Sequence, residues 1–254
     1  MKIAILCQFE TGTANGILMR GRAEGFSAQG HEVRLLYQPF KYPKRRAGGR
    51  SRPTPRLRQY VIYSRVFSKR SWRTPFWMLL FLAWEFPLLL SKCFVSDVVF
   101  IHKCLPLGML YLLALRVLWF RGKTVCILDD WEGIGGFATT RSANSALRRI
   151  VVSVCEETMP ILATGNHCIS RILYDRLRLS KATRDSCIYL PNGASDNTEY
   201  TWPASDVPFT VGYIGTFKNR RLIGFLCQML QQCLGASGTI RFHLVGGGDE
   251  FEHT

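Results

Sequence analysis

MKIAILC, residues 1–7, and AEGFSAQGHEVRLLYQP, residues 23–39, decide the fold. Ile3 to Cys7 is an unbroken apolar run of strand length, as expected of a strand buried on both faces. A helical pattern over residues 16–29 follows it, and GHEV, residues 30–33, opens a second strand-like run from Glu32 to Tyr37. Strand, helix and strand in that order begin an α/β half. Working outward, strand-like runs recur at 60–66, 97–102, 124–128, 162–170 and 187–190, with helical patterns at 75–90, 106–120 and 143–159 between them. Such alternation predicts a mostly parallel sheet covered on both faces.

A similar beginning recurs further along. FTVGYIGTFKNRR, residues 209–221, and IRFHLVGGGDEFEHT, residues 240–254, each carry a strand-like run, Val211 to Ile214 and Phe242 to Val245. Between the two halves ASDNTEYTWPASDVP is polar and turn-rich, as a linker is. The expected organisation is a complete Rossmann-like domain over 1–193, a linker over 194–208 and the start of a second Rossmann-like domain over 209–254.

Composition narrows the classes. With 254 residues and 47% hydrophobic content the chain can bury a sizeable core, which excludes wholesale disorder. Nine cysteines, at 7, 93, 104, 126, 155, 168, 187, 227 and 233, show no CxxC spacing and an odd total, so reduced thiols fit better than a disulfide framework or zinc site. Cys7, Cys126 and Cys168 fall in apolar runs, where cysteine acts as a small hydrophobe. The first residues carry one lysine and a short apolar run with no small-residue cleavage site, unlike a signal peptide.

The net charge of +15 is concentrated: 12 Lys and Arg residues and no acidic residue lie between Lys41 and Arg73. Self-repelling sequence broken by Pro43, Gly48, Gly49, Pro53 and Pro55 predicts a mobile basic loop over 41–58. Its expected partner is an anionic surface. After it, FWMLLFLAWEFPLLL, residues 76–90, and LPLGMLYLLALRVLWF, residues 105–120, are interrupted only by Glu85 and Arg116. Both are shorter than the roughly 20 residues that cross a bilayer. Two readings stay open: buried core helices, or aromatic anchors such as Trp72 and Trp77 in the headgroup region of an anionic leaflet, beside Arg45, Arg46, Arg50 and Arg52. Long apolar runs around these aromatics favour lipid over nucleic acid.

Candidate chemistry lies at strand ends. ILDDWEGIGG, residues 127–136, sets Asp129, Asp130 and Glu132 just past an apolar strand, at the carboxyl edge where open parallel sheets bind ligands. Three carboxylates there are costly unless solvated, paired or functional. Acceptor contact, a solvated helix-capping turn and a metal site all remain open. His102 and Lys103 close another strand at the same edge, and Gly12 and Gly16 lie in the stretch after the first strand. Lone histidines are more often structural than catalytic.

The order of these segments resembles the retaining glycosyltransferases of the GT-B fold, close to glycosyltransferase family 4. That resemblance implies a nucleotide-sugar donor, a glycan or lipid-linked acceptor at the inner face of the cytoplasmic membrane, and neither cofactor nor metal. It implies that Gly12 and Gly16 line a cleft and that Asp130 orients the acceptor hydroxyl as the catalytic residue. Trp131 would offer a flat face to a sugar, with Asp129, Glu132, His102 and Lys103 on the acceptor side. On the donor side, Lys218, Arg220 and Arg221 of YIGTFKNRR would clamp the diphosphate, and Gly246 and Gly248 would form the tight turn beyond. The histidine that family enzymes often carry in the acceptor loop has no counterpart in residues 127–136, and the family's downstream glutamate pair is not reached by Thr254. The resemblance therefore implies a C-terminally truncated donor half and weak or absent activity. Two rivals stay open: a nucleotide-sugar epimerase or hydrolase of the same fold, and a non-catalytic basic module binding anionic lipid or nucleic acid.

Overall fold

The structure is a computed structural model describing residues 1–9, 14–37, 56–61, 81–131, 146–192, 209–216, 224, 227–229, 231–232 and 240–247. The chain divides into two units, Met1–Gly193 and Ala194–Thr254.

The first unit is built on seven parallel strands: β1 (Lys2–Cys7), β2 (Glu32–Tyr37), β3 (Leu57–Val61), β4 (Val98–His102), β5 (Lys123–Leu128), β6 (Gly165–Cys168) and β7 (Cys187–Tyr189). They lie in the order β3-β2-β1-β4-β5-β6-β7. The order reverses between β1 and β4, whose register pairs Ile3 with Val98 and Leu6 with Ile101. Alternation along β1 explains how the sheet is covered. Ile3, Ile5 and Cys7 face one core with Val33, Leu35, Tyr37 and Ile127, while Ala4 and Leu6 face a second with Val99, Ile101, Cys126 and Leu128. Successive strand side chains point to opposite faces, so a strand buried on both sides must be apolar throughout.

Helix α1 (Ala14–Ala28) closes the first core with Met19 and Ala23. The second is covered by α2 (Phe86–Phe94), α3 (Pro106–Val117), α4 (Ala146–Leu162) and α5 (Arg171–Leu179). This division follows from right-handed crossovers, since β1 to β3 step one way along the sheet and β4 to β7 the other. Pro106 starts α3, where its missing N–H costs nothing, and the Ser170 hydroxyl caps α5 by accepting from Leu173 N–H. Gly30, at φ +89°, ends α1. His31 N–H bonds Phe26 O and Gly30 N–H bonds Ser27 O, the two bonds of a Schellman turn.

Several expected boundaries move. The third strand begins at Leu57, so Leu57 and Arg58 leave the predicted basic loop and enter the sheet, with Arg56 in the turn just before them. There Arg56 O accepts from Val33 N–H and the Arg56 guanidinium donates to Gly30 O at 2.5 Å. Of the pattern at 75–90, the described part is a π-helical turn, Phe81–Glu85, followed by α2. Pro160 does not end α4, which continues to Leu162. The run at 162–170 is strand only over Gly165–Cys168, and α5 was not anticipated, its leucines being outnumbered by charge. Cys7, Cys126 and Cys168 are buried core side chains. No described helix is long and apolar enough to cross a membrane.

In the second unit β8 (Phe209–Thr216) pairs in parallel with β9 (Ile240–Gly247), Val211 opposite Phe242 and Gly215 opposite Gly246.

Candidate functional site at the carboxyl edge of the sheet

Ends of β1, β4 and β5 meet where the strand order reverses, the position at which open parallel sheets bind ligands. His102, the last residue of β4, is fully buried, and its Nε2 contacts Asp129 Oδ2 just beyond β5. A carboxylate accepts, so Nε2 carries the proton. Lys103 repeats the pairing one residue on, its Nζ 3.1 Å from Asp130 Oδ2. These two pairs are set by β4–β5 register, in which His102 stands opposite Ile127. Lys103 adopts φ +65° and is almost completely buried, with its N–H bonded to Ile127 O. A non-glycine residue in the left-handed region is uncommon; here it turns the chain so that consecutive side chains both reach the β5 loop. Phe9, after β1, meets the His102 ring edge-on at 5.5 Å and lies 5.4 Å from Lys103 Nζ.

Polar capacity is left over at this edge. Gln8 Oε1 and Nε2, His102 Nδ1 and Asp129 Oδ1 are buried without a hydrogen-bond partner among the described residues. Buried polar atoms are nearly always satisfied, so four orphans on three neighbouring strand ends mark a place prepared for further polar contact. Asp129 is nearly buried, whereas Asp130 is about half exposed, 48%. Asp130 is therefore the carboxylate a ligand can meet, and His102 with Asp129 forms the floor beneath it.

A second cluster joins the same field. Arg22 of α1 donates to Asn192 Oδ1 at 2.8 Å and lies 3.2 Å from His167 Nδ1, while His167 Nε2 lies 2.7 Å from Leu190 O. Leu190 O can only accept, so Nε2 holds the proton and Nδ1 accepts from Arg22. The ring is thereby held neutral; burial first, then the Arg22 charge, lowers its pKa against the opposing pull of Leu190 O and Asp129. Burial also lowers the Arg22 pKa, partly offset by Asp129. Cys7 is no nucleophile, since burial pushes its thiol up to about 12.

The expected site residues are thus partly assembled. His102, Lys103, Asp129 and Asp130 come together. For Trp131, the Arg176 guanidinium lies 3.4 Å from the ring centroid, and the partly buried ring also packs on the core. Gly16 is not in a loop before the helix but in the first turn of α1, its carbonyl accepting from the buried Tyr37 Oη at 3.0 Å. Gly246 lies in β9. Gly12, Glu132, Lys218, Arg220, Arg221, Gly248, Arg45, Arg46, Arg50, Arg52, Trp72 and Trp77 lie outside the described residues. Gln8, Arg22, His167 and Asn192 were not anticipated as site residues. Only their places, within or after strands or on the helix after β1, hint at them, and many residues share such places. Among the described residues no three His, Cys, Asp or Glu side chains are grouped to hold a metal. Two cavities, of about 560 and 660 Å³, open at the opposite, amino edge, around Lys2, Glu32 and Arg58 and around Phe94, Trp119 and Lys123. The carboxyl edge remains the stronger candidate, because four of the buried polar atoms without a partner among the described residues are grouped there.

No protein-family model matches the chain, and no curated protein matches it in sequence. Solved structures do match in fold. Sucrose-phosphate synthase from Thermosynechococcus elongatus superposes with a TM-score of 0.64 at 17% identity, over 98% of this chain and 63% of that one. The lipopolysaccharide outer core galactosyltransferase WaaB in its apo form gives 0.62 at 14%, over 99% and 62%. The catalytic domain of starch synthase IV from Arabidopsis thaliana, bound to ADP and acarbose, gives 0.59 at 12%, over 99% and 70%. The chain thus spans less than two thirds of the length of the first two. Its fold is that of the GT-B glycosyltransferases.

Proposed function

We propose that the protein is a glycosyltransferase, retaining and close to family 4, that moves a sugar from a nucleotide-sugar donor to a hydroxyl of a glycan or lipid-linked acceptor. The observation that carries this reading is half-exposed Asp130, anchored by Lys103 beside the buried His102–Asp129 pair at the sheet's switch point. In the reaction the bond from the anomeric carbon to the donor diphosphate breaks, a bond to the acceptor oxygen forms, and the acceptor hydroxyl proton passes to the departing phosphate. Asp130 accepts a hydrogen bond from that hydroxyl and aims it, with Lys103 fixing the carboxylate. Orientation of this kind can supply several kcal/mol of barrier lowering. Lys218, Arg220 and Arg221 would offset the charge growing on the diphosphate, with Gly12, Gly16, Gly246 and Gly248 on the donor side. The nucleotide sugar is a substrate, and the reading calls for no cofactor.

The setting would be the cytoplasmic face of an anionic membrane, in cell-envelope glycan synthesis. The 12 cations between Lys41 and Arg73 support it, each worth up to about 1 kcal/mol near an anionic leaflet. Incubation with a panel of labelled nucleotide sugars and with lipid and glycan acceptors tests the chemistry. Label in a new glycoside whose anomeric configuration matches the donor is the expected result. Free sugar or an epimerised donor, with no glycoside, would instead indicate a hydrolase or epimerase on this fold.

A further inference from the structure

The helices α2, α3 and α4 cover one face of the sheet, with α3 in contact with both neighbours. Each also carries apolar residues on its outer side. Leu88 on α2 and Val117 on α3 are exposed, and on α4 the exposed residues Leu147, Ile150, Val151 and Val154 recur at i, i+3, i+4 and i+7. That spacing is one stripe of a helix, here opposite the stripe formed by Val152, Cys155 and Met159, which is buried. Exposed large apolar side chains on three helices packed side by side are the kind of surface that interaction faces use.

The turn after α3 adds an independent sign. Phe120 N–H bonds Leu115 O and Trp119 N–H bonds Arg116 O, repeating the Schellman turn that ends α1. In α1 the left-handed position is Gly30; here it is Trp119, at φ +54° and 87% exposed. A bulky residue at positive φ is a true outlier, and this indole gains no burial to offset it.

We propose that the outer face of α2, α3 and α4, with Trp119 at its end, docks on an anionic lipid bilayer. The inference rests on the membrane-side reading above and gives it a surface distinct from residues 41–58. Charge selects the occupant. Among the described side chains of these helices and residues 118–123, the exposed charges are Arg116, Arg121, Lys123, Arg149 and Glu157, and Glu157 is paired with Arg176 at 2.8 Å. A second copy would set the same cations against one another across a two-fold interface, whereas an anionic leaflet complements them and Trp119 suits its headgroup region. Because α3 runs from the carboxyl edge back to the amino edge, a bilayer along this flank reaches the end of the sheet where Asp130 stands.

Co-sedimentation with phosphatidylglycerol-containing vesicles, against phosphatidylcholine alone, tests the face. Three variants are compared with the wild type: Val117→Asp with Val154→Asp, Trp119→Gly, and Arg45, Arg46, Arg50 and Arg52 all to Ala. Circular dichroism melting verifies that each folds. Both flank variants should bind anionic vesicles about tenfold or more weakly, because less apolar surface then leaves water on docking. Wild-type binding by both flank variants overturns the docking face; if the arginine variant then loses binding, the membrane reading survives without it. Absence of wild-type binding to any vesicle overturns both. A wild-type dimer in sedimentation velocity, dissociated by Val117→Asp with Val154→Asp and indifferent to lipid, overturns the lipid occupant in favour of a second copy.

Discussion

His102 donates its Nε2 proton to the carboxylate of Asp129, 27 residues away in sequence and one strand away in the sheet. The His102 side chain is buried and that of Asp129 nearly so, and neither partner's remaining polar atom has a partner among the described residues. Asp129→Ala would leave the imidazole N–H without an acceptor, a loss of roughly 1–3 kcal/mol. Asp129→Asn retains an oxygen that can accept, so most of that loss should return. Chemical denaturation of the three proteins checks the order; equal stability for Ala and Asn would mean that the pairing contributes through packing alone.

Gly108 holds the floor of the same site open. A Cβ there would lie 2.9 Å from Ile101 Cγ2, 3.0 Å from Gln8 Nε2 and 3.2 Å from Met159 Cε, all in the interior. Glycine to alanine inside a helix ordinarily gains up to about 1 kcal/mol. At this position overpacking of roughly 1–3 kcal/mol should prevail. Gly108→Ala is expected to lower the melting temperature, and an increase would show that Gln8 can swing aside.

His167 should make the fold sensitive to mild acid. Its folded pKa lies below the ordinary 6.5, chiefly through burial. A base with a lowered folded pKa contributes its full stability above the unfolded value, and loses it as the pH falls from there through the folded value, because the unfolded chain binds the proton first. Melting temperatures measured downward from pH 8 should therefore begin to fall below about 6.5, and the slope should flatten in His167→Gln. An unchanged slope would assign the acid sensitivity elsewhere.

Legibility in the sequence divides along physical lines. Strands buried on both faces are mostly apolar, so β1, β2, β4 and β5 could be read from residues 3–7, 32–37, 97–102 and 124–128, within a residue of Lys2–Cys7, Glu32–Tyr37, Val98–His102 and Lys123–Leu128. The edge strand β3 was displaced because Leu57 and Arg58 stand in a charge run that reads as loop. Helix α5 was missed because only Leu173 among its residues is fully buried. For the site, the placement of Asp129 and Asp130 after an apolar strand was legible, but their partners were not. Pairing of His102 with Asp129, or Arg22 with His167, depends on strand order, and order is a tertiary property that local pattern does not encode.

On the proposed chemistry, Asp130→Ala should lower turnover by roughly a hundredfold, the scale of a misaimed acceptor, while donor affinity stays within about twofold. The side chain is exposed at the rim and held by Lys103, so the effect belongs on kcat more than on donor binding. Lys103→Met should shift kcat the same way but less, since the carboxylate remains. Isothermal titration with the nucleotide sugar, beside initial rates, separates the two quantities. Normal rates in Asp130→Ala would reduce the loop to a structural turn.

Trp119 and Gly30 give the last prediction its control. Both occupy the left-handed position that ends a helix, with the same pair of backbone hydrogen bonds around them. Gly30 adopts that conformation without a Cβ conflict; Trp119 bears a cost on the order of 1–2 kcal/mol for it. Its indole is 87% exposed, so removing it sacrifices little packing. Trp119→Gly should therefore stabilise the fold by up to about 1 kcal/mol, net of the flexibility glycine adds to the unfolded chain. Gly30→Trp should do the reverse, and by more, because its Cβ would also meet the Arg56 guanidinium at 3.1 Å. If Trp119→Gly is more stable yet binds anionic vesicles poorly, the tryptophan is retained at a cost to the fold that its surface role offsets. If it melts lower than the wild type, the indole has a packing partner in solution, and the strained turn is no sign of a docking face.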